Sequence, residues 1–167
     1  MNRKLPPLGL NWGFEVVDPT GKVLDRFEAH NLVPEEGLNF AMTLLFKSGS
    51  VVPAWYVSIY EGDYSPTPDV TAATLGALAT EITAYTPTTR PEFVEGAVVD
   101  GSVSNAASLA EFTFTAPKTV RCLALTSASA KGSGAGVIAS VVRLPSPKTY
   151  DVGSILRAFV GPSAVSA

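Results

Sequence analysis

Cysteine and histidine each occur once in the 167 residues, as Cys122 and His30, and those two scarcities remove much of protein chemistry at the outset. A lone cysteine excludes an internal disulfide and any cysteine-based metal cluster. Its setting in TVRCLALTS fits a small buried hydrophobe on a strand. A lone histidine means that a Ser/His/Asp or Cys/His mechanism would have to centre on His30, and no G-x-S-x-G turn accompanies it. Charge is also scarce: Asp, Glu, Lys and Arg make up 16% of the chain against an ordinary ~25%, so little of the surface can be charged and lasting contacts with other chains are favoured. No apolar run approaches the ~20 residues of a membrane helix. The opening MNRKLPPLGLNW is basic but has neither the apolar stretch nor the small-residue cleavage pattern of a secretory signal.

What charge there is lies unevenly. Residues 1–60 hold 5 basic and 6 acidic groups, residues 61–111 hold 1 and 8, and residues 112–167 hold 6 and 1. The acidic middle and basic last third could meet across neighbouring copies in an assembly, or pair within one chain. Six basic groups without interleaved aromatics give no nucleic-acid signature, and no specific nucleic acid is expected as a partner.

The length suits one domain, burying roughly 70% of its unfolded surface. Residues 1–10 read as an extended arm outside the core, with Arg3, Lys4, Leu5, Pro6 and Pro7 as candidate contacts. Residues 11–167 read as a single β-sandwich domain with a long loop at about 62–92. NWGFEVV alternates Trp12, Phe14 and Val16 on one face, DPTG turns, and KVLDRFE returns as the second arm of a hairpin.

HNLVPEEGLNFAMTLLF then switches to a helical pattern. Asn31 is placed to cap, Pro34 suits a first turn, and Glu35 and Glu36 favour the positive end of the dipole. Leu38, Met42 and Leu45 fall at i, i+4 and i+7, the stripe expected to pack this helix, at about residues 34–46, against a sheet.

WYVSIY alternates Trp55, Val57 and Ile59 against Tyr56 and Tyr60 and is apolar enough for a central strand. The Pro- and Thr-rich stretch after it reads as a surface excursion with a helical turn at Thr71 to Ala79. FVEGAVV, AEFTFTA, TVRCLALTS, VIASVVRL and GSILRAFV follow as strands, the third and fourth forming a hairpin around AKGSGAG. Pro145 and Pro147 mark a sheet edge or a crossing between sheets. The fold expected is mainly β, an antiparallel β-sandwich of jelly-roll type with one short helix.

The remaining candidates for chemistry are weak. KGSGAGV lacks the Lys-Ser/Thr and the helix of a phosphate loop, and reads as a flexible hairpin tip. Glu61, Asp63 and Asp69 lie within nine residues but without the rhythm of a calcium loop, so they are taken, with Tyr64, as a contact loop and not as metal ligands. Trp55, Tyr56, Tyr60 and Tyr64 are the densest aromatic group, the kind of surface that binds sugars or proteins, although alternation sends Trp55 inward. No catalytic residue, cofactor or metal site is assigned.

The order of these parts resembles the small structural proteins of tailed bacteriophages. The likeness rests on the NLVPEEGLN helix, the WYVSIY strand, the acidic Pro/Thr loop, and the late VGSIL segment. It implies a non-enzymatic virion protein that assembles in the host cytoplasm. A capsid decoration (cement) protein would bind the major capsid protein at the capsid surface and self-associate as dimers or trimers. A tail, neck or fibre-attachment component is the alternative. A carbohydrate- or ligand-binding β-sandwich is a third reading from a different class.

Overall fold

The alternation in NWGFEVV and its return becomes a long hairpin, which opens the chain described by the computed structural model, residues 9–163. Its strands are β1 (Gly9–Val17) and β2 (Val23–Leu32). The Asp18 carboxylate shapes the turn, accepting hydrogen bonds from the backbone N–H groups of Thr20 and Lys22 at 2.8 and 3.0 Å. Then come helix α1 (Glu35–Phe46), β3 (Trp55–Tyr60), helix α2 (Ala72–Ala79), and two-residue strands β4 (Tyr85–Thr86) and β5 (Glu92–Phe93). β6 (Ala110–Phe114), β7 (Lys118–Thr126), β8 (Ile138–Tyr150) and β9 (Ile155–Ser163) complete the described chain.

All strand pairs are antiparallel, and the nine strands form one sheet in the order β4-β6-β9-β1-β2-β8-β7-β3-β5. The protein is mainly β, a curled sheet resembling a half-barrel. Its two halves meet at a narrow seam, where β2 leaves β1 and pairs with β8 only through Asn31↔Val142 and Leu32↔Val141. The Ser140 hydroxyl sits at that seam and accepts hydrogen bonds from Trp12 Nε1 and Asn31 Nδ2 at 3.1 and 3.0 Å. Asn31 therefore serves the seam and does not cap α1. The N-cap is Pro34, with no side-chain hydrogen bond.

Curling brings the apolar faces of both halves together. Trp12, Phe14, Phe112, Phe114 and Leu156 from one side share an interior with Val57, Ile59, Leu123, Val142 and Tyr150 from the other. Phe114 stacks on Tyr150 at 4.6 Å between ring centres, a contact between strands that are not neighbours in the sheet. Each such large side chain contributes about 1.5–3 kcal/mol by leaving water.

The other face of the β3-β7-β8 region is also buried. Tyr60, Cys122, Ala124, Ile138 and Val141 pack against Val70, Ala72, Leu75 and Ala79 from the excursion and α2. That two-sided burial explains why WYVSIY is so apolar, and the alternation separating Val57 and Ile59 from Tyr60 is the observed one.

Two expectations need correcting. Gly9 and Leu10 do not belong to an arm outside the core, because Gly9 pairs with Ser163 and Leu10 is buried; the rest of the expected arm, residues 1–8, lies outside the described residues. FVEGAVV is not a full strand: of its residues Phe93 alone belongs to a strand, Val99 makes an isolated bridge to Ser102, and Val94, Val98 and Val99 are exposed. Pro145 and Pro147 lie in a bulge of β8 beyond the point where β2 has left it, an open sheet margin, which is the edge alternative of the two expected for them. Two steps on β7, from Val120 to Cys122, face five on β8, from Lys148 to Arg143, so prolines without N–H groups fall where no ladder bond is made.

Candidate functional site

Helix α1 is apolar at seven of its twelve positions, more than one buried stripe can use. Two interleaved stripes result, both with helical spacing. The inner one is Gly37, Phe40, Ala41 and Leu44, which line an apolar cavity of about 400 Å³ with Trp55, Phe93 and Val98. Phe40 meets the edge of Trp55 at 5.7 Å. Gly37 sets the orientation, since a Cβ there would lie 2.7 Å from the Ile138 carbonyl oxygen and 3.0 Å from that of Ala139. Only glycine lets the helix come this close to β8.

The Glu36 carboxylate fixes the same approach. Its Oε2 accepts hydrogen bonds from the backbone N–H of Ala72 at 3.0 Å and of Ile138 at 2.8 Å, tying the starts of α1, α2 and β8.

Leu38, Met42 and Leu45, expected to pack the helix on the sheet, are thereby turned outward. They are 39%, 50% and 70% exposed, and Phe46 beside them is 77% exposed. The expectation fails because periodicity identifies a helical stripe without saying which of two stripes meets the sheet, and the glycine decides. The outward stripe is the principal candidate site, an apolar helix face with exposed Glu35 at its start.

The other candidates do not converge. Arg3, Lys4, Leu5, Pro6 and Pro7 lie outside the described residues. In the acidic loop, Glu61 pairs with Lys118 at 3.0 Å and Asp63 with Arg143, whose hydrogen bond holds the aspartate below its ordinary range. Tyr64 hydroxyl meets Thr67 Oγ1 at 3.2 Å, and a Thr67 hydrogen bond lowers the Asp69 pKa. No group of three His, Cys, Asp or Glu able to hold a metal occurs among the described residues. With Glu111 paired to Arg157, the acidic middle and basic last third are joined within one chain. The aromatics disperse too: Trp55 packs under α1, and Tyr60 is buried, its hydroxyl pushed up to about 12 by desolvation. His30 is exposed on β2.

Sequence reasoning missed a polar cluster that fastens the excursion to the β7–β8 tip. Arg90 donates through Nε and Nη2 to Glu81 at 2.8 and 2.6 Å, through Nη1 to Thr126 Oγ1 and the Ala128 carbonyl, and through Nη2 to the Ser133 carbonyl. These bonds engage all five guanidinium protons. The two side chains are only 2% and 5% exposed. Burial lowers the Arg90 pKa, but Glu81 more than offsets it and leaves it raised. Lys131 lies 3.6 Å from the centre of the Tyr85 ring and donates to the Thr83 and Tyr85 carbonyls. The glycine-rich tip is therefore anchored, contrary to the flexible tip expected. A signal was available: Arg90 is the one basic residue among eight acidic ones in residues 61–111.

An outer trough lies on the opposite half, about 530 Å³, lined by Glu15, Arg26, Glu28, Arg157 and Phe159. The Phe159 ring rests against Gly13 and Gly161. The arginines are engaged within the protein: Arg26 with Glu15 at 2.8 Å and Arg157 with Glu111 at 2.9 Å.

Cys122 is fully buried and its thiol donates to the Tyr64 carbonyl at 3.3 Å. Desolvation pushes the thiol up to about 11. Alkylation by iodoacetamide at about pH 8 should be at least about a hundredfold slower in the native protein than in concentrated guanidinium, measured by mass spectrometry. Equal rates would mean that this layer opens readily.

Comparison of the chain with protein-family models and with curated proteins gives no match.

Proposed function

We propose that this chain is a non-enzymatic structural protein of a bacteriophage virion, a decoration (cement) protein that binds the major capsid protein and stabilises the shell. The observation that carries this reading is the apolar outer face of α1, with Leu38, Met42, Leu45 and Phe46 between 39% and 77% exposed. An exposed helix face of this kind marks a protein contact. The buried Glu81–Arg90 cluster supports it by fixing the long excursion, so contact residues such as Asp63 and Asp69 are carried on a held surface. The two facing halves of the curled sheet support the finer fold reading, a β-sandwich related to jelly rolls.

Cementing asks for many modest contacts made at once. Binding only the assembled shell stabilises it by mass action, and several contact surfaces per copy multiply the effect. The acidic loop and the arm would add to α1 in that role.

Co-sedimentation with native particles tests the proposal. Hundreds of copies per particle support decoration, a few copies point to the tail, neck or fibre-attachment reading, and protein left free of particles overturns both. A carbohydrate-binding reading has one observation in its favour, the Phe159 ring in its charged trough. It ranks second because both arginines there are already paired. Glycan-array binding lost on Phe159→Ala would promote it.

A further inference from the structure

The geometry points to Leu5, Pro6, Pro7 and Leu8 of this same chain as the occupant of the apolar cavity beneath α1, seated there as a short polyproline turn. Such seating belongs to the free chain and does not rest on the virion reading. The cavity adjoins the start of β1. Leu10 and its β9 partner Pro162 line it, together with Val33, just before α1, and Val98 and Val103 from the stretch after β5. Residues 1–8 therefore join the described chain at the edge of the cavity, with Leu8 only two positions, at most about 7 Å along the chain, from a lining residue. Leu10, Trp12 and Phe14 belong to the interior, and a period of two gives the same face to Leu8.

The chemistry of the segment suits the cavity. Two consecutive prolines fix an extended backbone and remove two N–H donors, so docking proceeds through side chains and not as further ladder pairing. With three residues per turn, a polyproline helix sets Leu5 and Leu8 on one side, about 9 Å apart, flanking the proline rings. Aromatic-lined grooves are the surfaces that take such segments. Phe40, Trp55 and Phe93 supply the rings here, and Val98 in the lining is 74% exposed. Charge agrees as well. Glu95 is the one charged side chain among the described lining residues and has no ion-pair partner among the described residues. Arg3 and Lys4 directly precede Leu5 and are complementary to it.

The chain's own segment outcompetes that of a second copy, because a tether of a few residues gives it an effective concentration on the order of millimolar. An arm contact with another protein then requires the segment to leave its seat.

Binding of the neutral dye Nile red, followed by fluorescence, tests this with the double replacement Leu5→Asp and Leu8→Asp, whose fold is checked by unchanged circular dichroism. The dye should bind the variant at least about tenfold more tightly than the wild type, in which a tethered competitor fills the cavity. The exposed face of α1 contributes equally to both. Deleting residues 1–8 should have the same effect. The free peptide MNRKLPPL should displace the dye from the variant, and a scrambled peptide should not. Dye exclusion by the wild type should be the same at about 1 and 100 μM protein, as a tethered occupant demands. Equal dye affinity in the wild type and both variants would overturn the inference, as would failure of the peptide to compete. Exclusion that weakens on dilution would overturn it too, by giving the seat to the arm of a second copy. The virion reading is untouched by any of these results, since it stands or falls on co-sedimentation with particles.

Discussion

Replacing Arg90 by methionine lowers the melting temperature by roughly 6–20 °C. The figure follows from the ~3–5 kcal/mol lost when one partner of a buried ion pair is removed, at ~2–4 °C per kcal/mol for a chain of this size. The substitution keeps much of the side-chain bulk but leaves the Glu81 carboxylate buried with the Gly132 N–H, at 2.9 Å, as its remaining partner. It also strands the Ser133 carbonyl and leaves that of Ala128 with only the Thr126 hydroxyl, at 3.4 Å. Methionine at 90 with leucine at 81 should recover a substantial part of the loss, because the charge no longer needs a partner. Thermal melts of both single variants and the double variant measure the coupling. If Arg90→Met alone shifts the melt by less than about 3 °C, solvent must reach the pair.

Gly37→Ala should cost about 1–3 kcal/mol, the reverse of what helix propensity predicts. In an exposed helix interior the same change gains about 0.5–1 kcal/mol. At Gly37 the new methyl would stand 2.7 Å from the Ile138 carbonyl, a backbone atom that no rotamer change can move. The helix must lift from β8, which stretches the two Glu36 hydrogen bonds. Gly76→Ala in α2 is the control: nothing lies within 4 Å of its added Cβ, and it should stabilise. Denaturant melts of both variants decide the matter, and equal gains at both positions would mean that α1 does not sit against β8.

The contrast between these glycines shows where the sequence can be read and where it cannot. Strands with strict alternation were legible, as at Trp12 and Phe14 and again at Val57 and Ile59, because a period of two assigns faces without ambiguity. The existence of α1 was legible for the same kind of reason. Its orientation was not, since two stripes satisfy a period of 3.6 when seven of twelve residues are apolar. Choosing between them requires the distance between α1 and the β8 backbone, a tertiary quantity. Arg90 was overlooked because charge in a Pro- and Thr-rich stretch ordinarily faces water, and its partners lie as far as 43 residues along the chain. FVEGAVV has strand composition, yet composition cannot supply a neighbouring strand.

The narrow seam between the halves bears on how the molecule avoids polymerising. Because β2 and β8 share only two residue pairs, much of each strand is left with backbone groups that another chain could extend. Both exposed margins are blunted: β2 carries Asp25, Arg26 and Glu28, and β8 carries Pro145 and Pro147 in its bulge. A strut spans the gap, with Lys148 bonded to Asp25 at 2.7 Å and lying 4.9 Å from the centre of the Phe27 ring. At the far ends the sheet stops in β4 and β5, two residues each, too short to template a newcomer. Growth by strand addition is thus discouraged at every margin, and contact with other molecules is left to side-chain surfaces such as the helix.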